Sequence, residues 1–348
     1  MKAAFTIATA NYLAQAKTVA ESFLTYNQDY TFHIVLLDKK DEIDLFPSGR
    51  IKIVEVAEIG IPYLQEMIDR YSIFELSNAL KPFCAEYFLY STDTIKAVLY
   101  FDSDIIVYDQ FTEVDRLLES HNIVITPHTT HPLPFDNQGI RESDFLNTGI
   151  YNGGFFALSK TGETIRFLKW WKERLRTHCL VDLSRGLFVD QIWLNLVPLY
   201  FKGVNILKHV GYNVAFWNLH ERTLRRARDG RIYINGETPL VFFHFSGYDI
   251  KSPAIISKYQ SRISFEERPD IQPLYRQYIS TVLSNGYDSF SQLTCSYYVQ
   301  KEIRMQTLQE QPAAEQAKVE EVKAPAPSIL ATIFSRCKLS LRVLLKGA

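Results

Sequence analysis

The chain has 348 residues, of which 47% are hydrophobic, and a formal net charge of −1. This is enough apolar material for a large core in one or two domains, and the balanced charge excludes the basic excess that is typical of bulk nucleic-acid binders. No CxxC pair occurs among the four cysteines. A disulfide framework or a zinc site is therefore disfavoured, and a reducing cytoplasm fits better.

Strands and helices alternate through the first part of the chain. We predict strands at AAFTIA, YTFHIVLLD, IKIVEV and KAVLYF, and helices over Tyr12–Tyr26 and after Lys81 and Pro82. This alternation predicts a mostly parallel, layered α/β sheet, in which ligands usually bind at the carboxyl ends of the strands. The absence of GxGxxG and GxxxxGK[ST] motifs disfavours a dinucleotide-binding enzyme and a P-loop NTPase.

Two aspartates follow the strand KAVLYF directly. Asp102 and Asp104 are separated only by Ser103. Residues two apart in an extended chain point the same way, so both carboxylates can face one spot at a strand end. Two hard oxygen donors at such a place suit Mg²⁺ or Mn²⁺ bound to phosphate oxygens. The residues alone also fit a polar strand end or a tight turn, where aspartate is common.

The next part of the chain contains a long segment punctuated by proline and glycine. We predict a loop over His128–Thr148, and a loop of this length in a compact domain usually serves as a lid or a binding segment. Strands are predicted at YNGGFFAL and at LVFFHFSGY, which contains His244. The apolar spacing predicts helices over Thr161–His178, Phe188–Leu199 and Pro269–Leu283.

Composition changes near residue 300. We predict one domain over 1–300, a flexible linker over 301–327 that is rich in Gln, Glu, Ala and Pro, and a basic amphipathic helix over 328–348. That last segment places an apolar stripe beside Arg336, Lys338, Arg342 and Lys346 and contains no acidic residue. The pattern favours a helix that lies on an anionic membrane surface, and docking of the helix on the globular domain is the alternative.

Four segments carry a family resemblance. They read FTIATANY, YFDSDIIVY, YNGGFFAL followed by FVDQIWLN, and FFHFSGY with Lys251 just beyond. In this order they resemble the retaining glycosyltransferases of the GT-A fold, specifically the glycogenin-like class that includes bacterial lipooligosaccharide galactosyltransferases. The resemblance implies a GT-A nucleotide-diphospho-sugar transferase fold, with a mostly parallel mixed sheet flanked by helices.

The resemblance also implies a metal site. Asp102 and Asp104 match the DxD pair of the family, and His244 matches the histidine of its HxxGxxKPW segment, so these three residues are expected to hold Mn²⁺ or Mg²⁺. A neutral imidazole is a suitable ligand beside two carboxylates. Here that segment reads HFSGYDIKSP, so Lys251 stands one place later than in the family pattern.

The resemblance further implies a donor site. Asp190 and Gln191 match the acidic-amide pair beside the anomeric carbon and are the expected catalytic residues. From the sequence alone, Asp190 also fits a helix N-cap, and Asn152 with its two glycines also fits a bulge or turn. The expected donor-binding residues are Ala8, Asn11, Tyr12, Lys81, Asp102, Ser103, Asn152, Gly153, Gly247 and Lys251.

These observations predict a metal-dependent glycosyltransferase of the hexosyltransferase type. It is expected to move a sugar, with retention, from a nucleotide-diphosphate sugar to a glycan or lipid-linked acceptor in bacterial surface polysaccharide synthesis. We expect it in the cytoplasm, peripheral at the inner face of the membrane, with no nucleic-acid partner. The alternatives are a nucleotidyltransferase, which usually has a glycine-rich basic loop that ATANYLAQAK lacks, and a non-catalytic nucleotide-sugar or glycan-binding protein on the same scaffold.

Overall fold

A seven-stranded mixed sheet forms the centre of the fold. The computed structural model describes residues 1–43, 49–136 and 138–309. The strands are β1 Lys2–Ala8, β2 Tyr30–Leu36, β3 Ile51–Glu55, β4 Ala97–Phe101, β5 Ile105–Val107, β6 Ile123–Pro127, β7 Tyr151–Ser159, β8 Val181–Asp182, β9 Leu187–Phe188, β10 Val204–Ile206, β11 Leu224–Arg226, β12 Ile232–Ile234, β13 Thr238–Pro239 and β14 Phe242–His244. The helices are α1 Leu13–Tyr26, α2 Leu64–Arg70, α3 Ile73–Ala79, α4 Lys81–Tyr90, α5 Thr112–Leu118, α6 Glu142–Thr148, α7 Gly162–Leu175, α8 Gln191–Leu194, α9 Val197–Tyr200, α10 Gln272–Ser284, α11 Tyr287–Phe290 and α12 Ser296–Gln309.

The order of strands in the main sheet is β10-β6-β7-β4-β1-β2-β3. Strand β1 runs parallel to β2 and β4, β2 runs parallel to β3, and β10 runs parallel to β6. Strand β7 is antiparallel to both of its neighbours, β4 and β6. The predicted mostly parallel mixed sheet flanked by helices is therefore confirmed, with β7 as the strand that reverses direction inside it.

Apolar residues cover both faces of this sheet. Along β1, Phe5 and Ile7 belong to the apolar cluster on one face, which also contains residues of α4 and α7. Ala4 and Ala8 belong to the cluster on the other face, which contains the buried side of α1. A strand whose alternate residues both meet helices has to be apolar throughout, and this explains the unbroken run AAFTIA.

Two predicted segments differ from the structure. The predicted single helix over Phe188–Leu199 is instead the two short helices α8 and α9, because Pro198 lacks the N–H that a continuous helix would need at that position. The predicted loop over His128–Thr148 ends in helix α6. Only Phe145 of α6 is buried, so the sequence carries no apolar periodicity that would predict this helix.

Met1–Val299 form one compact unit. Helix α12 extends to Gln309, beyond the predicted domain end at residue 300. Residues 310–348, which include most of the predicted linker and the whole predicted tail helix, lie outside the described residues. Across the described ranges, no helix is both long enough and apolar enough to cross a bilayer.

Candidate active site

A cleft of about 600 Å³ opens at the carboxyl ends of β1 and β4. Its walls come from the end of β1, from helix α3, from the turn between β4 and β5, and from the segment that follows β14. Among the residues predicted from the sequence to form the site, those that line the cleft are Ala8, Tyr12, Asp102, Ser103, Asp104, His244 and Gly247. The structure therefore gathers residues that are far apart in the sequence at the sheet edge where ligands usually bind.

The three predicted metal ligands lie together. Asp102 and Asp104 flank the turn from β4 to β5, and His244 reaches them because β14 pairs with β5, opposite Ile105. Their ligand atoms all lie within 4.8 Å of one another. The distance from His244 Nε2 to Asp104 Oδ1 is 2.9 Å, and that to Asp102 Oδ2 is 3.8 Å. Two carboxylates and one imidazole suit Mn²⁺ or Mg²⁺ in donor type.

Neighbouring charges shift the pKa values of two members of this cluster, Asp102 and His244. Burial by itself would raise the pKa of Asp102, but Lys81, His244 and the hydroxyl of Tyr100 outweigh burial and lower it. The Tyr100 hydroxyl donates to Asp102 Oδ1 over 2.6 Å. Burial would also lower the pKa of His244, but Asp104 and Asp102 outweigh it and raise the pKa. Asp102 is therefore held as a carboxylate, which is the form that binds metal.

The backbone of β7 closes the cluster from behind. A Cβ atom on Gly154 would lie 2.5 Å from His244 Cε1 and 2.8 Å from Asp102 Oδ2. Real Cβ atoms do not approach other atoms so closely, so a side chain at this position would displace two of the three ligands. Glycine in the interior of a strand often marks such a close approach. The residues present therefore fit a bound divalent ion at the strand ends.

A second polar group lies next to the metal ligands and is buried. Lys81 Nζ donates to Gly153 O over 2.9 Å and to Asp190 Oδ2 over 3.1 Å, and it lies 3.6 Å from Asp102 Oδ1. Burial would lower the pKa of Lys81, but the carboxylates of Asp102 and Asp190 outweigh it and raise the pKa. Burial raises the pKa of Asp190 to about 6, against the opposing effect of Lys81. Lys81 thus connects Asp102 of the predicted metal site to Asp190, one of the two predicted catalytic residues.

The side chain of Asp190 does not cap a helix. Asp190 precedes α8, yet its carboxylate makes no capping hydrogen bond and pairs with Lys81 instead. The preceding residue, Val189, has a φ of 40°, a left-handed conformation that is costly for a β-branched side chain. Local backbone strain of this kind often occurs at functional sites. Because the carboxylate of Asp190 makes no capping hydrogen bond, the helix-cap interpretation loses its support.

The neighbouring amides complete this buried group. The N–H of Gly153 donates to Gln191 Oε1 over 3.0 Å, and Asn152 Nδ2 donates to the same oxygen over 3.4 Å. Gln191 Nε2 in turn donates to the carbonyl of Thr148 over 3.0 Å. Lys81, Asn152, Gly153, Asp190 and Gln191 therefore form one contiguous polar layer beside the metal ligands, although none of them lines the cleft.

Of the predicted donor-binding residues, Asn11 and Lys251 belong neither to the cleft lining nor to the buried polar layer. The side chain of Asn11 accepts a hydrogen bond from Thr9 Oγ1 over 2.6 Å. Lys251 is exposed in a turn, where its N–H donates to Asp249 Oδ1 over 2.9 Å. A different lysine in the same segment, Lys258, does line the cleft. Sequence reasoning missed Lys258 because no motif contains it.

Tyr100 is a second site residue that sequence reasoning missed. Besides its hydrogen bond to Asp102, its ring lies 4.8 Å from Lys81 Nζ, so it contacts both polar groups. A signal for it exists in the sequence, because Tyr100 stands two residues before Asp102 in an extended chain and so points the same way. A third missed residue, Asn213, contacts both Asn152 and His244.

No family model matches the chain. The chain is 24% identical over 249 residues to the uncharacterized protein YfnD of Bacillus subtilis (strain 168), a match that covers 70% of this chain and 77% of that protein. It is 24% identical over 284 residues to the uncharacterized protein YfnF of the same organism, which covers 80% of this chain and 92% of that protein. Among solved structures, it is similar to the galactosyltransferase LgtC in complex with donor and acceptor sugar analogs, with 17% identity, a TM-score of 0.46, and coverage of 86% of this chain and 100% of that chain. These similarities do not specify a reaction for this chain. Evidence for its chemistry comes from the residues of its own site.

The close approach of Gly154 to the metal ligands gives a direct test. We predict that Gly154→Ala weakens Mn²⁺ binding by about 10–100-fold or more, the usual cost of disturbing the residues that orient metal ligands. Isothermal titration calorimetry of the full chain with Mn²⁺ measures this. Gly162→Ala is the matched control, because a Cβ atom there meets nothing within 4 Å. Equal Mn²⁺ affinity of the two variants would show that Asp102 and His244 are not both ligands.

Proposed function

We propose that this chain is a metal-dependent glycosyltransferase of the GT-A fold that moves a sugar from a nucleotide-diphosphate sugar to a glycan or lipid-linked acceptor. The observation that carries the proposal is the meeting of Asp102, Asp104 and His244 at the edge of a 600 Å³ cleft, beside the buried pair of Lys81 and Asp190. The order of the motifs in the sequence supports the same function. Breaking the bond between a sugar and a diphosphate requires charge stabilisation at two neighbouring places, and these two groups are suited to it.

The metal ligands would serve the leaving group. Asp102, Asp104 and His244 would hold the divalent ion, which we infer to be Mn²⁺ or Mg²⁺. When bound, such an ion acts as a Lewis acid toward the departing diphosphate. Lys258 on the cleft wall adds a positive charge for the phosphates, and Tyr12 offers an aromatic surface that is 48% exposed. Stacking on such a surface is a common way to hold a nucleoside.

The buried polar layer would serve the sugar. As the leaving group departs, positive charge develops at the anomeric carbon, and a carboxylate nearby stabilises it. We assign this role to Asp190, with Gln191 and Asn152 positioning the sugar and Lys81 holding Asp190 in place. We further propose a hexose donor and retention of configuration, with the acceptor hydroxyl attacking on the face of the leaving group. Proton NMR of the product anomer distinguishes retention from inversion.

The metal role of Asp104 is tested by a nearly isosteric change. We predict that Asp104→Asn lowers metal-dependent release of nucleoside diphosphate by more than the roughly 100-fold that the loss of an outer-shell partner costs, because a direct ligand is removed. The assay follows release from a panel of nucleotide sugars with Mn²⁺, with and without acceptor. Release of any kind also separates an enzyme from a non-catalytic nucleotide-sugar-binding protein.

The control for Asp104→Asn is Asp93→Asn. Asp93 is fully exposed and pairs only loosely with Lys160 over 3.7 Å, so the same chemical change there should leave turnover unaltered. Full activity of the Asp104→Asn protein after exhaustive chelation would contradict the metal mechanism. Formation of nucleoside triphosphate and sugar 1-phosphate when pyrophosphate is added to the nucleotide sugar, in place of nucleoside diphosphate, would favour a nucleotidyltransferase.

We also propose a membrane-surface role for residues 328–348, which lie outside the described residues. The sequence places four basic residues beside an apolar stripe, and each is worth about 1 kcal/mol near an anionic bilayer. The proposal places the enzyme at the inner face of a bacterial cytoplasmic membrane, where acceptors for surface polysaccharide are lipid-linked.

Liposome flotation tests the tail. We predict that the full chain floats with anionic vesicles at low salt and less so at high salt, because screening weakens the attraction of basic residues to the surface. A full-length variant with Arg336, Lys338, Arg342 and Lys346 changed to Gln keeps the chain length and should lose most of the binding. Equal recovery of both proteins would contradict a surface role and leave docking or partner binding. Transfer to small soluble acceptors should survive in both.

A further inference from the structure

Asn213 occupies a central position in the polar network of the site. It is 1% exposed and has a left-handed backbone with a φ of 51°. Its Nδ2 donates to Thr126 Oγ1 and to Asn152 Oδ1, each over 3.1 Å. Its Oδ1 lies 3.4 Å from Nδ1 of His244. Asn213 therefore contacts two strands of the main sheet and the histidine of the metal cluster at once.

The orientation of these amides follows from the backbone. The N–H of Gly154 donates to Asn152 Oδ1 over 3.1 Å. A backbone N–H can only donate, so this atom of Asn152 must be its oxygen. Asn213 faces the same oxygen and must therefore present its NH₂ group there. The Asn213 oxygen is then left facing His244.

An acceptor at Nδ1 fixes the tautomer of the histidine. Since Asn213 Oδ1 can only accept, His244 Nδ1 must carry a proton and donate it. Nε2 lies 2.9 Å from Asp104 Oδ1 and donates to it when protonated; in the neutral ring the lone pair is on Nε2, where a metal ion would take the place of that proton. Metal-binding histidines usually have the other ring nitrogen tied to an acceptor in this way, which sets the ring orientation.

The orientation of the Asn152 amide also fixes the tautomer of a second histidine, His128. Asn152 Nδ2 lies 3.4 Å from Nε2 of His128, so that nitrogen accepts, and His128 Nδ1 then donates to the carbonyl of Ile150 over 3.2 Å. Burial lowers the pKa of His128 to about 4, so the ring is neutral near pH 7, as this arrangement requires. Both histidines are thus assigned the Nδ1–H tautomer from one backbone N–H.

We propose that Asn213 is a positioning residue for the metal site. The N–H of Gly154 orients the amide of Asn152, which in turn orients the amide of Asn213. Asn213 then fixes the ring of His244 so that Nε2 faces the metal position. The proposal rests on the metal role assigned to His244 in the proposed function. It adds a residue that belongs neither to the predicted metal ligands nor to the cleft lining, and it explains why an asparagine with a left-handed backbone is buried at this place.

The test compares two asparagines with the same backbone. Asn213→Gly introduces a residue that tolerates a φ of 51° and removes the side chain with its amide. Asn235→Gly is the matched control, because Asn235 has the same φ of 51° but is exposed and bonds to Thr223 and Glu221. Calorimetric titration of Mn²⁺ into each full chain, without donor, should show affinity weakened about 10–100-fold for Asn213→Gly and unchanged for Asn235→Gly.

The outcomes separate the inference from the function on which it rests. Wild-type affinity in a folded Asn213→Gly protein would overturn the role of Asn213 and leave the metal site intact. Failure of the wild-type chain to bind Mn²⁺ would overturn the metal site and the inference together. If Asn213→Gly does not fold, nitrogen NMR of the wild-type chain loaded with Mg²⁺ decides. A proton on His244 Nδ1 supports the inference, and a proton on Nε2 overturns it.

Discussion

The backbone of Gly153 and Gly154 is the constraint on which the rest of the site depends. All four of its polar groups bind site residues. Gly153 N–H donates to Gln191 Oε1 and its carbonyl accepts from Lys81, over 3.0 and 2.9 Å. Gly154 N–H donates to Asn152 Oδ1 over 3.1 Å, and its carbonyl accepts from the N–H of Asp102 over 2.8 Å. The predicted metal ligands and the buried polar layer are thus both held by one short part of β7.

Three of these four backbone groups are free to bind side chains because the sheet is irregular at this point. Strand β7 pairs with β4 only as far as Phe155, and its register with β6 shifts between Ile125 and Thr126. A bulge of this kind leaves residues of one strand unpaired in the ladder, and bulges are frequent next to active sites. Gly153 and Gly154 therefore belong both to a bulge and to the site, because the bulge leaves their backbone groups available to bind the site residues.

The charges at this place depend on one another. Lys81 lies between two acids in a buried region, and removing one member of such a group leaves an uncompensated charge, which is strongly destabilising. Lys81 therefore keeps Asp102 ionised and orients Asp190, and it ties helix α4 to the centre of the sheet. Because folding and site geometry share this contact, substitutions of Lys81 are expected to disturb both, and the variants chosen above avoid it.

The sequence predicted the parts of this structure that have a regular pattern. Alternating strands and helices predicted the sheet, and the spacing of Asp102 and Asp104 placed both carboxylates at one strand end. His244 was found only through family resemblance, because its pairing with β5 is a long-range contact that no local pattern records. Asn213 gave no signal, since a buried asparagine in a connecting segment looks like any turn residue. Lys258 likewise lies in a segment whose path over the cleft depends on tertiary packing.

The most direct test of the account is the position of a bound manganese ion. Crystals of the full chain grown with Mn²⁺, measured at a wavelength where manganese scatters anomalously, locate the ion without reference to any assumed chemistry. We expect one anomalous peak at coordination distance from Asp102, Asp104 and Nε2 of His244, at the edge of the cleft. A well-ordered site without a peak at saturating Mn²⁺, or a peak bound by other residues, would contradict it.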